Sequence, residues 1–249
     1  VYSPLNSSIV TIAVGPTQRL FAAHEDVLCK SPYFAQACQA QFFEPSNKRI
    51  ELAHEEPEVF SAVLEYLYKG DYSPQLAYDK KRSSFYLSTK GDTGTKAPEL
   101  TVQYNGVSIL KDTAIYVRLL SISIPSHRPT DNNTQCAAHR LALPHLQGIA
   151  LKKQGLHCGV QTSTILSSAR YAYLHTPAND SSLRAHYLAL IIRSRATFKR
   201  SGTMQAEMTA GGSALWFDLF VAMVEHMVSV LLAQSSDGCG CVDEVLTET

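Results

Sequence analysis

The chain predicts an α+β fold, a small sheet capped by helices and followed by an all-helical C-terminal extension. Three observations carry this. Residues 8–22 hold two short strand-like runs around a turn. Residues 31–71 contain two runs that open with helix-start chemistry and flank a short apolar strand. Beyond Gly155 the apolar residues recur at helical spacing.

The first run, residues 8–15, alternates as a half-buried strand does. Gly15-Pro16-Thr17-Gln18 is turn chemistry, and residues 19–22 return as a second strand. Ser31-Pro32 opens a helix, with Ser as N-cap and Pro at the first helical position. Ile50-Glu51-Leu52 is a short strand. Glu55-Glu56-Pro57-Glu58 then starts a second helix, with carboxylates at the positive end of its dipole. Val59, Phe60, Val63, Leu64 and Leu67 form one apolar face, and Lys69-Gly70 supplies a cationic last turn and a glycine stop.

Residues 75–97 turn polar and predict a long mobile loop, broken by a short Ser84-Phe85-Tyr86-Leu87 segment. Gly91 to Lys96 does not satisfy the phosphate-loop spacing. Residues 100–104 and 107–110 read as strands joined by a type I′ turn at Asn105-Gly106. A helix begins at Lys111 and is interrupted by a Ser/Pro/Asn/Thr-rich stretch containing Pro125 and Pro129. Joining Tyr116 directly to Cys136 puts Leu110, Ala114, Cys136, Ala137 and Leu141 on one helix face. Residues 117–135 therefore read as an insertion that contributes nothing to function. It is a natural loop or a retained intron read through in frame, since Val-Arg can be encoded from GTACGT and Gln by CAG. The helix over 144–154 follows.

Residues 162–174 and 182–195 predict two further helices, the second capped by Asp180 or Ser181. A shorter amphipathic piece spans 204–208, and an apolar helix spans 214–233. That last helix has the length of a membrane span. Asp218, Glu225 and Ser229 lie along one polar stripe of it, and each central charge would cost about 2.5–3.5 kcal/mol in lipid. The expectation is a helix packed on three sides, with no membrane. Residues 234–249 read as a disordered tail.

The order of motifs resembles one known interaction module. Phe21-Ala22-Ala23-His24 leads into Val27-Leu28 and Ser31-Pro32-Tyr33-Phe34, then Phe42-Phe43-Glu44, Ile50-Glu51-Leu52, Phe60 and Tyr68-Lys69-Gly70-Asp71. Together these resemble a BTB/POZ domain, in the version found in fungal proteins. The resemblance covers residues 7–156 less the 117–135 insertion. It places the domain over 5–156, a helical extension over 157–233 and the tail after it. It implies a protein-binding module without catalysis, whose signature residues Phe21, His24, Leu28, Ser31, Phe34, Phe60 and Tyr68 are structural. His24 would pack or cap.

The resemblance also implies partners. BTB proteins that recruit cullins carry a hydrophobic-x-Glu sequence just after the second main helix, and Phe42 and Glu44 stand there. This makes the chain a candidate substrate adaptor of a cullin–RING ubiquitin ligase. The alternative is a scaffold or transcription-associated oligomerisation protein without cullin binding, and a homodimer is compatible with either. BTB repressors carry Asp before the first strand and Lys or Arg after the helix-leading His. Ser8 and Glu25 occupy those places here, which counts against that charged pocket.

Composition narrows the classes further. Lys+Arg and Asp+Glu number 22 each, so no global field favours nucleic acid. Six cysteines at irregular spacing and no visible signal peptide predict a reducing intracellular setting, nucleus and/or cytoplasm. Sequences of the GxSxG, HExxH and GxGxxG types are absent. His157-Cys158 and Cys239-Gly240-Cys241 lack four convergent ligands, so neither metal nor cofactor is expected. Arg193, Arg195, Lys199 and Arg200 read as a solvated helix end.

Overall fold

The computed structural model describes residues 7–40, 49–88, 100–120, 141, 143–177 and 181–237. Strand β1 (Ile9–Val14) is central to a three-stranded sheet of order β2-β1-β3. It pairs antiparallel with β2 (Arg19–His24), Ile9 opposite His24 and Val14 opposite Arg19. On its other edge it pairs parallel with β3 (Arg49–Leu52), Ile12 opposite Ile50. Val10, Ile12, Ala13 and Val14 are all buried, as a central strand requires. The β1–β2 turn depends on Gly15, whose φ is +74°. A Cβ there would lie 3.2 Å from both the Glu55 carbonyl oxygen and the Pro57 ring. Glycine thus supplies both the left-handed backbone and the close approach to the next helix.

Helices α1 (Glu25–Leu28), α2 (Pro32–Ala40) and α3 (Pro57–Lys69) cover this sheet. Pro57 sits in the first turn of α3, and Val59, Phe60, Val63 and Leu67 form its buried face. Gly70 ends it at φ +79°, donating its N–H to the Tyr66 carbonyl at 2.7 Å.

The stretch after α3 departs from the expected mobile loop. Residues 75–88 form a hairpin of β4 (Gln75–Asp79) and β5 (Ser84–Ser88), Gln75 opposite Ser88. Asp71 anchors its start by accepting the Leu76 N–H at 2.7 Å. Asp79 closes its turn by accepting the Lys81 N–H at 2.9 Å. These carboxylates fix the hairpin at its start and at its turn, and its strands carry no clean apolar alternation. A second hairpin, β6 (Thr101–Tyr104) and β7 (Val107–Leu110), turns at Asn105 and Gly106. Their φ angles of 48° and 77° are the pair a type I′ turn needs.

Helix α4 (Lys111–Leu120) runs through the expected break at Val117. Val117 and Leu119 are buried, and Arg118 grips Glu56 at 2.6 and 3.1 Å with Glu55 at 3.7 Å. Two apolar anchors and a bidentate ion pair carry the helix past the point where composition suggests a stop. Helix α4 thus extends four residues, Val117 to Leu120, into the expected insertion. The rest of the expected insertion and the resumption at Cys136 lie outside the described residues.

The remaining helices are α5 (Pro144–Gln154), α6 (Thr162–His175), α7 (Ser182–Arg193), α8 (Arg195–Lys199), α9 (Gly202–Ala210) and α10 (Leu215–Asp237). The run expected as one helix to Arg195 divides at Ser194. The change of direction carries Phe198 into a small core with Leu166, Ile191 and Leu219. Ser181 precedes α7 without a capping side-chain bond, and Asp180 lies outside the described residues. The main core is contiguous from Val10 and Ile12 through Phe34, Phe60, Ile115 and Leu146 to Leu183, Tyr187 and Leu215.

Helix α10 does not pack on three sides. Among the described side chains of α10, Leu215 and Leu219 are buried, while Phe217, Phe220 and Met227 are 70%, 65% and 60% exposed. A cleft beyond Leu219 separates the helix from α8 and α9. Asp218 faces Tyr173, and burial together with that carboxylate pushes the Tyr173 hydroxyl up. Among the described residues no single helix is long and apolar enough to cross a membrane. The helix also continues to Asp237, into the stretch expected as a tail.

Candidate functional site

The signature positions gather where β2, α1, α2 and α3 meet. Phe21 from β2 stands edge-on to Phe60 of α3, ring centroids 5.1 Å apart, and Phe34 of α2 meets the same ring at 6.2 Å. Such aromatic pairs add about 0.5–1.5 kcal/mol beyond the area they bury. Leu28 is fully buried in the same core. Ser31 is buried too, and its hydroxyl donates to the Leu141 carbonyl at 2.7 Å, which ties the start of α2 to the segment before α5.

His24 occupies the N-cap position of α1, but its side chain makes no capping bond. Its ring is held instead by Tyr68 in the last turn of α3. The Tyr68 hydroxyl accepts the His24 backbone N–H at 3.0 Å and lies 2.7 Å from Nδ1. The histidine thus has a structural partner in Tyr68.

Ser8 and Glu25, which stand where BTB repressors carry a charged pair, touch each other. The Ser8 hydroxyl donates to the Glu25 carboxylate, and the Glu25 N–H donates to the Ser8 carbonyl at 2.9 Å. Beside them Ser7 donates to Asp26 at 2.5 Å, and this bond holds the Asp26 carboxyl below its usual range. Glu25 and Asp26 thus place two carboxylates in the first turn of α1, each bonded to a serine hydroxyl. Phe42 and Glu44 lie outside the described residues, directly after α2 in the chain.

Sequence reasoning missed a buried charged network. Lys153 of α5 is fully buried, with its ammonium 2.5 Å from an Asp71 carboxylate oxygen and 2.6 Å from the Tyr72 carbonyl. The same nitrogen sits 3.5 Å from the centre of the Tyr72 ring. The Tyr72 hydroxyl donates to Asp112 at 2.6 Å, and His157 Nε2 meets the other Asp112 oxygen at 2.5 Å. Burial pushes Lys153 down, with Asp71 opposing it, and burial with Asp112 pushes Tyr72 well up. In sequence Lys153 is one of two lysines closing a helix, and nothing there marks it as the buried one. The network joins Asp71 and Tyr72, just past the end of α3, to Asp112 of α4 and Lys153 of α5.

Among the described residues no group of three or more His, Cys, Asp and Glu side chains could hold a metal ion. His157 pairs with Asp112, and the cysteines at 239 and 241 lie outside the described residues. Arg193, Arg195, Lys199 and Arg200 are all exposed, at the ends of α7 and α8.

The family model of the BTB/POZ domain matches residues 7–86. The match includes the aromatic cluster, the His24–Tyr68 pair and Asp71-Tyr72, and it stops before β6. Among curated proteins none matches the chain. The chain thus carries a BTB/POZ domain at residues 7–86, an interaction module of a generally non-enzymatic kind, followed by a helical C-terminal region.

Proposed function

We propose that this protein is a substrate adaptor of a cullin–RING ubiquitin ligase, of the fungal BTB kind, acting inside the cell in the nucleus and/or cytoplasm. One observation carries the reading: Phe42-Phe43-Glu44 follows α2 directly within a matched BTB domain. The aromatic side chain packs on the cullin and the carboxylate fixes the local geometry. The protein adds no catalytic group. It binds a target and the ligase at once, and raises the effective concentration of one at the other. Irregular spacing of the six cysteines supports a reducing compartment.

A tagged chain used to capture proteins from cell extract, scored for cullins by mass spectrometry, tests this. The wild-type chain retains a cullin. Phe42→Ala with Glu44→Ala loses it while far-UV circular dichroism stays unchanged, because truncating an anchor aromatic commonly costs about 2 kcal/mol or more. No cullin on the wild-type chain contradicts the adaptor reading. The second reading is a self-associating scaffold without a cullin, and the exposed apolar face of α10 favours it.

A further inference from the structure

Helix α10 presents an apolar face with a self-complementary layout. Phe220, Met223, Met227 and Val230 follow at steps of three, four and three residues, the spacing of a coiled-coil seam. Phe217 and Val224 flank that seam. These six are 65%, 42%, 60%, 42%, 70% and 43% exposed in the order named. Asp218 and Glu225, seven residues apart, lie on the opposite side of the helix. With Val221 and Val228 included, the exposed apolar area is of the order of the ~800 Å² per partner in a standard interface.

The two ends of the face differ. Its N-terminal half carries the two protruding aromatics. Its C-terminal half borders a cleft of about 720 Å³, in which Met223, Met227 and Val230 face Ile191, Phe198 and Met204. Knob and hole sit on the same helix, displaced along it. A two-fold axis perpendicular to the helix brings each to the other, as an isologous contact requires.

We propose that α10 pairs antiparallel with α10 of a second copy of this chain, with Phe217 and Phe220 of each copy seated in the cleft of the other. The axis passes between Met223 and Val224, so Phe220 of one copy faces Met227 of its mate. A lipid surface fits less well. Residues 215–237 contain Asp218, Glu225 and Asp237 but no Lys or Arg, and helices that lie on membranes carry basic residues on their polar face. The contact lies outside residues 7–86 and does not rest on the adaptor reading.

Sedimentation equilibrium of the whole chain tests the pairing, with Phe220→Glu plus Met227→Glu as the variant. Both side chains are exposed, so the variant should fold, and circular dichroism checks this. The wild-type assembly sediments as more than one copy, and its mass falls twofold in the variant. A wild-type single copy at tens of micromolar, or a mass that the substitutions leave unchanged, overturns the proposal. Val224→Cys gives an independent readout that needs no disruption. Mild oxidation links it to its own counterpart beyond the level of the wild-type chain, and failure to link overturns the antiparallel geometry. Co-sedimentation of single copies with phosphatidylserine vesicles would replace the second copy with a membrane and overturn the proposal as well.

Discussion

Lys153 and Asp71 form a pair between α5 and the end of α3, with the ammonium nitrogen 2.5 Å from the carboxylate and none of the lysine side chain exposed. Asp71 lies within the matched BTB domain and Lys153 lies 67 residues past its end at 86. The pair therefore belongs to the fold that joins the domain to the helices after it. Asp71 also accepts the N–H groups of Tyr72 and Leu76, each within 2.8 Å, so one carboxylate organises the α3 exit, the β4 start and α5 together.

Lys153→Met is predicted to lower the unfolding free energy by about 3 kcal/mol, because it leaves a partly buried carboxylate without its counter-charge. Denaturant midpoints at constant slope measure this. A loss no larger than about 1 kcal/mol, the worth of a surface pair, would show that the ammonium is not what holds Asp71.

Tyr68→Phe removes the hydroxyl shared by the His24 amide and imidazole and keeps the ring. The expected cost is about 1 kcal/mol, the usual net worth of such hydrogen bonds. In a double-mutant cycle with His24→Ala the two losses should fall short of adding, since both delete the same bond. Full additivity would mean that His24 and Tyr68 act independently.

The parts of the fold that sequence shows are those with local chemistry. Pro57 and Gly70 bracket α3, Asn105-Gly106 sets the second hairpin, and the alternation of residues 9–14 marks the central strand. The hairpin of β4 and β5 is harder to see because Tyr78, Phe85 and Tyr86 are exposed and its anchors are the Asp71 and Asp79 side chains. Lys153 and the continuation of α4 through Arg118 depend on partners 82 and 62 residues away, at Asp71 and Glu56. No local pattern reports those. The exposure of α10 is a different case. Hydrophobicity along the helix says that the face must be covered, and the residues alone do not say by what.

Acid should weaken the fold partly through His175. Its ring lies 4.4 Å from Tyr171 and 5.5 Å from Tyr104, and its Nε2 is buried without a hydrogen-bond partner. Burial first, and Arg118 second, push its pKa below the ordinary histidine value. A histidine whose folded value lies below its unfolded value binds fewer protons when native. Its contribution is therefore intact above the unfolded value near 6.5 and is lost as pH falls through it toward the folded value. His186 is pushed down by burial and by Arg193 and acts with the same sign. His175→Phe keeps the stacking and removes one titration. Melting temperature followed from about pH 7 to pH 5, where histidines titrate, should fall less steeply in the variant. An identical slope would assign the acid loss to other groups.

Titration of a purified cullin into the whole chain is the most direct test of the adaptor claim. Isothermal calorimetry with wild-type protein should show saturable binding at micromolar concentration or tighter. Phe42→Ala with Glu44→Ala should weaken it by a factor of at least about 30, the equivalent of 2 kcal/mol. Absence of heat with the wild-type chain at micromolar concentration, together with an intact fold, would contradict the account.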